Sequence, residues 1–187
     1  MKRRDLLVFG GAALAVGCST TSPSDGADPA AKRREIDSAA DAALTELTKS
    51  TPGAHDLVSK ARGVLIFPKV TSAGFIVGGT YGQGVLRKAG NNAGYYSVSA
   101  GSVGLLAGAQ TKSMFLLFMT LEALQKFESS DGWTVGADAS VAVLDSGASA
   151  HVDSKTAQAP IIGFVRSQAG LMANLSVDGT KFNKLKL

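Results

Sequence analysis

Between positions 29 and 49 the apolar residues Ile36, Ala40, Ala43, Leu44 and Leu47 recur at spacings of three and four, the period of one helix face. Ser50-Thr51-Pro52 then offers a cap and an N1 proline for a second, shorter helix ending near Ala61. Beyond Arg62 the pattern turns extended. The apolar run at 64–67 is closed by Pro68 and predicts a buried strand. Positions 73–85 mix β-branched and aromatic residues with glycine, 87–92 is a turn cluster, and 95–99 opens another strand. Further glycine-punctuated β stretches are predicted at 102–110, 134–144, 161–166 and 171–177. The run at 113–119 suits a central strand or the start of a helix; Thr120 is a credible N-cap, so it divides into a strand and then a helix over 121–127. These elements predict an α+β fold: N-terminal helices, a curved or barrel-like antiparallel β-sheet, and one helix after a central strand packed on it.

Glycine is the next feature that changes the picture. Gly78 to Gly84 is GGTYGQG, and glycine-rich loops are one way to cradle a phosphate. A P-loop needs Gly-Lys followed by Ser or Thr, yet Gly84 precedes Val85 and the chain has no Gly-Lys pair. A dinucleotide fingerprint needs GxGxxG opening a helix; here the spacing is reversed and extended sequence continues. No nucleotide is expected. Read as one extended strand, Gly74, Gly78, Gly82 and Gly84 share one face, and Phe75, Val77, Tyr81 and Val85 the other. Such a run marks bulges, a barrel corner or close approach of another backbone, with a slot for a ligand headgroup as the alternative.

The N-terminus is organised differently. Lys2-Arg3-Arg4 precedes an apolar stretch at 6–17 that is too short to span a bilayer and right for a signal-peptide h-region. It ends at Cys18, the only cysteine, which therefore closes no intramolecular disulfide. A small residue before a cysteine at this place resembles the lipobox of bacterial lipoproteins, in which that cysteine is acylated and becomes the new N-terminus. Arg3-Arg4-Asp5-Leu6-Leu7 also resembles a twin-arginine export signal, although a plain basic n-region explains the same residues. The expected layout is a signal peptide at 1–17, the lipidated cysteine and a flexible tether at 18–28, and a single domain at 29–187. Acyl chains, at about 0.8 kcal/mol per buried methylene, then hold the protein on a membrane without crossing it. Ser19 is compatible with sorting to the outer membrane, facing periplasm or surface.

Charge and chemistry narrow the function. The chain carries +4; its first seventeen residues hold three cations and Asp5, a net +2, which leaves +2 for the rest. That is far below a nucleic-acid footprint, and a membrane surface is the better polyanion. His55 and His151 are far apart, and CxxC, HExxH and GxSxG are absent. No catalytic residue, metal or cofactor is expected. Asp138 interrupts a strand-like run, where capping a turn is its expected role. Trp133 is expected to pack at a sheet end. Lys32, Arg33 and Arg34 sit in the first turns of the first helix, against its dipole, and with Lys60, Arg62 and Lys69 they flank the helix-to-sheet transition. These six are the candidate lipid-headgroup contacts.

Several motifs in order resemble the SYLF domain: ARGVLIFP at 61–68, AGFIVGGTYGQG at 73–84, MTLEALQKF at 119–127, GWTVGADASV at 132–141 and GFVRSQAGL at 163–171. The resemblance covers about 37–177. It implies an α+β domain that binds phospholipid, with a basic amphipathic N-terminal helix assisting in some members. Eukaryotic members bind phosphoinositides and actin filaments; bacterial members are commonly exported single-domain lipoproteins. Here Ala169 stands where a lysine often precedes the glycine of the late motif. The leading expectation is a non-enzymatic phospholipid-binding lipoprotein of the bacterial envelope, partnered by anionic headgroups. The alternative is an envelope interaction module held at the membrane only by its lipid.

Overall fold

A computed structural model describes residues 28–74, 77–103, 108–144, 158–167, 170–171 and 179–187. The expected signal peptide, Cys18 and nearly all of the tether lie outside the described residues.

Helix α1 (Pro29–Ser50) is capped by Asp28, whose carboxylate accepts the Ala30 amide at 3.0 Å. Helix α2 (Ala54–Lys60) begins later than Pro52 suggested, because Pro52 and Gly53 form the turn and Gly53 caps the helix at φ 76°. Four long strands follow: β1 (Gly63–Gly74), β2 (Val77–Lys88), β3 (Asn91–Val103) and β4 (Gly108–Phe118). Thr120 then caps α3 (Leu121–Ser129) through the Ala123 amide at 3.2 Å, so the division of the apolar run into strand and helix holds. The shorter strands are β5 (Trp133–Thr134), β6 (Ala142–Val143), β7 (Ile161–Ser167), β8 (Gly170–Leu171) and β9 (Lys181–Leu185).

Four local expectations are corrected, and one unexpected strand is added. Pro68 does not end β1: the pairing jumps a residue there against both neighbours, after Ile66 toward β2 and after Phe67 toward β4. A bulge tolerates a residue with no N–H to donate, so the strand continues beyond it. Positions 73–85 are not one strand, since Gly74 pairs with Gly78 across a reversal, and Gly74 stands on a different strand from Gly78, Gly82 and Gly84. Positions 102–110 likewise divide between β3 and β4. The expected strand over 134–144 is two short pieces separated by a turn, because the Asp138 carboxylate takes the Thr134 amide at 2.6 Å and Gly136 adopts φ 87°. Strand β9 was not foreseen, because its five residues offer one deeply buried side chain, Phe182. Of the expected strand at 171–177, only Leu171 lies within the described residues.

The sheet runs β5-β9-β3-β2-β1-β4-β7-β6, with β8 paired to β7. All pairs are antiparallel except β6 with β7. Its two outermost strands, β5 and β6, are close in sequence. Eight strands laid flat would separate them by about 34 Å, whereas the residues from Thr134 to Ala142 reach at most about 28 Å when fully extended. The sheet must curl, and it forms a half-barrel.

Curling gives two cores. Inside, Leu65, Phe67, Leu86, Leu116 and Phe118 meet Trp133, Val165 and Phe182 around Phe127 of α3. The Phe127 ring lies 4.9 Å from both Tyr96 and Phe118 and 5.5 Å from Trp133. Outside, Val64, Ile66, Val85, Phe115, Leu117 and Phe164 pack against Ile36, Ala40 and Leu47 of α1 and Leu57 of α2. With both faces covered, the central strands are unbroken apolar runs in sequence, as fully buried strands generally are. Every residue of both buried clusters lies at position 36 or later, so a chain starting at Asp28 carries the whole described core.

Candidate functional site

The bulge at Pro68 lies under α1, and a cavity opens on each side of it. One, of about 460 Å³, is bordered by Lys32, Glu35 and Ile36 of α1 and by Lys69, Tyr81 and Gln83 of the sheet. The other, of about 380 Å³, is bordered by Ala43 and Glu46 of α1 and by Lys112, Ser113 and Arg166. Pro68 lines both. The Ser113 hydroxyl donates to the Pro68 carbonyl at 2.9 Å, satisfying an oxygen that regular pairing would otherwise serve.

The cations of these cavities are unevenly neutralised. Lys32 bonds Glu35 at 2.9 Å, and Arg166 Nη2 bonds Glu46 at 3.3 Å. Arg166 Nε is buried without a hydrogen-bond partner among the described residues. Lys69 and Lys112 have no ion-pair or side-chain hydrogen-bond partner among the described residues. Burial lowers the pKa of the Lys112 ammonium: the site holds a cation at some cost in solvation, and an incoming anion would offset that cost.

The six candidate headgroup contacts fall into separate places. Lys32 and Lys69 share the larger cavity. Arg33 is exposed and donates to the Leu187 carbonyl; Arg34 is exposed, 3.8 Å from Asp28. Lys60 ends α2 and Arg62 precedes β1. Six strand steps separate Gly63 from Lys69, about 20 Å, so Lys60 and Arg62 stand apart from the cavities. Sequence reading missed Lys112 and Arg166. Lys112 is the first charge after a long uncharged stretch and Arg166 sits in the GFVRSQAGL motif, but neither signal says what lies across the ladder.

The glycines serve chain packing. A Cβ on Gly82 would come 2.9 Å from the Lys69 carbonyl oxygen, and one on Gly84 would overlap the Ile66 carbonyl. Close backbone approach at the bulge is therefore what these two positions require. Asp138 holds its turn, and Trp133 is buried with its ring 5.6 Å from Phe182, closing the sheet end. His55 is exposed beside Asp56, and His151 lies outside the described residues. Among the described residues no three His, Cys, Asp or Glu side chains gather as a metal site, and no helix is long and apolar enough to cross a membrane.

Residues 99–186 match the family model Ysc84, described as Las17-binding protein actin regulator. The matched stretch holds Lys112, Arg166 and Lys181, while Lys32 and Lys69 precede it. No curated protein matches the chain.

Proposed function

Because residues 99–186 place the chain in the Ysc84 (SYLF) family, which is associated with lipid and actin binding and is not a known enzyme family, we propose a non-enzymatic phospholipid-binding lipoprotein of the bacterial cell envelope. Acylated Cys18 tethers it, and the domain at 29–187 engages anionic headgroups, phosphoinositides among them. The proposed location is the outer membrane, facing periplasm or surface. With the domain held outside the cytoplasm, the Las17 and actin contacts in the family's description are not carried over.

The observation that carries this reading is the pair of cavities that each hold one cation with no ion-pair partner among the described residues, Lys69 in one and Lys112 in the other. Each lysine near an anionic surface contributes about 1 kcal/mol, decaying over a Debye length. Two such residues with Lys32 and Arg166 beside them suffice for reversible, salt-sensitive attachment.

The test is co-sedimentation of the chain from Asp28 onward with liposomes, varying anionic lipid and salt. Expected is binding that rises with phosphatidylglycerol content and weakens as salt is added. Binding indifferent to both would remove the electrostatic basis. A tight envelope-protein partner together with no liposome affinity would favour the interaction module instead.

A further inference from the structure

Past Val70, Gly82, Val98 and Met114, strands β1 to β4 leave the core. No described side chain at 71–74, 77–81, 99–101 or 109–113 is buried, yet the pairing continues: Thr71 with Tyr81, Gly74 with Gly78, Val77 with Val103, and Gly74 with Gly108. The flanking strands stop short. Strand β9 reaches only Ser99 and β7 only Lys112. A four-stranded blade therefore projects from the half-barrel. Between Lys69 and Arg87, and again between Lys88 and Lys112, the sequence has no Asp, Glu, Lys, Arg or His. Val77 and Tyr81, 70% and 53% exposed, stand on this blade.

At the base of the blade the cations form a collar. Lys181 is paired opposite Ser99, Arg166 opposite Ser113, and Lys112 opposite Val70, beside Lys69. Lys32 reaches the same level from α1, in the cavity it shares with Lys69 and Tyr81. Glu35 and Glu46 pair with Lys32 and Arg166; Lys69, Lys112 and Lys181 have no ion-pair partner among the described residues.

We infer that the blade docks end-on into an anionic phospholipid bilayer, with Val77 at the acyl boundary and the collar of Lys32, Lys69, Lys112, Arg166 and Lys181 at the phosphates. An uncharged blade of small residues is cheap to move out of water, whereas each charge placed there would be opposed strongly. Tyr81 sits where an aromatic ring favours the interface. The four strand steps from Tyr81 to Val77 span about 13 Å, somewhat more than the roughly 5–10 Å to which interfacial helices bury their apolar face. The edges set the limit: among the described residues β3 beyond Ser99 and β4 before Lys112 have an unpaired side that hydrocarbon would not tolerate. The blade stops at the boundary.

This inference rests on the phospholipid-binding reading, and one experiment separates their failures. The chain from Asp28 has no cysteine, so Val77→Cys and, at the exposed Ser59 of α2 by the far end of β1, Ser59→Cys each accept a single environment-sensitive dye. With phosphatidylcholine vesicles containing phosphatidylglycerol, the dye at 77 should shift to the blue and escape iodide quenching, and the dye at 59 should do neither. Val77→Glu should weaken partitioning about tenfold with an unchanged melting temperature, since the site is exposed. Vesicle binding by the parent chain with a quenchable label at 77, or with Val77→Glu partitioning normally, overturns the docking mode alone. No vesicle binding by the parent chain overturns both readings. Shielding of 77 by self-association without vesicles makes a second copy the occupant and overturns the inference.

Discussion

Replacing Gly84 by alanine is expected to destabilise the fold, although alanine is the better residue for an ordinary strand. The added methyl would overlap the Ile66 carbonyl and stand 2.6 Å from Phe67 Cδ1. The carbonyl belongs to backbone at the bulge and Phe67 is fully buried, so neither can step aside without moving β1. Overpacking of this kind costs about 3 kcal/mol, and the lower unfolded-chain entropy of alanine returns about 0.7 kcal/mol. The net loss is about 2 kcal/mol, or roughly 6 °C in melting temperature for a domain of this size. Gly79→Ala is the internal control. It lies on the same strand, its added methyl meets nothing within 4 Å, and it should gain about 0.5 kcal/mol. Urea unfolding of the chain from Asp28 would measure both. If Gly84→Ala were as stable as the parent, close backbone approach would not be why this glycine is needed. If it kept its stability and lost vesicle binding, the glycines would serve a ligand after all.

Two further outcomes follow from the hairpin and the inner core. Ala89 and Gly90 form a two-residue turn with φ of 48° and 81°, a type I′ geometry that favours asparagine at the first position; Ala89→Asn should stabilise by about 1 kcal/mol in the same urea assay. Tyr96 is buried, and burial first, then the charge of Glu128, push its pKa up to about 12. Unfolded tyrosine titrates near 10, so this contribution is complete below that pH and is lost as pH rises through the folded value. Urea midpoints should therefore fall steeply above pH 10 in the parent chain and less so in Tyr96→Phe; identical alkaline limbs would refute the assignment.

Much of the architecture is written in local pattern. The three-and-four spacing of Ile36, Ala40 and Leu47 marks the buried stripe of α1, and Thr120 divides β4 from α3 because a side-chain cap is a local device. The apolar runs within β1, β4 and β7 are evident because both faces of the sheet are covered. The reversal between Gly74 and Val77 is another matter. Its sequence is Phe-Ile, with none of the Asn-Gly or Asp-Gly chemistry that announces a tight turn, so two strands look like one. The site was harder still. Lys32 and Lys69 were named from their charge, but Lys112, Arg166 and Lys181 join them through register between distant strands, and no local pattern encodes register. Lys60 and Arg62 are neighbours of Lys69 in sequence and belong to the other end of its strand.

The bulge at Pro68 has a consequence for how such a chain can vary. Before it, Leu65 and Phe67 point inward; after it, Val70 does, so the inward parity changes from odd to even within a single strand. The proline is a phase junction. Residues ahead of it, and Val70 just behind it, answer to the helix and the interior, while none of those at 71–74 is buried. Deleting that one residue would remove the extra step without transposing the far half: Val70 would stand two residues after Phe67 and still point inward, with Lys69 still on the opposite face. Substitutions beyond Val70, where no described side chain of β1 is buried, can drift and leave the folding of the barrel alone.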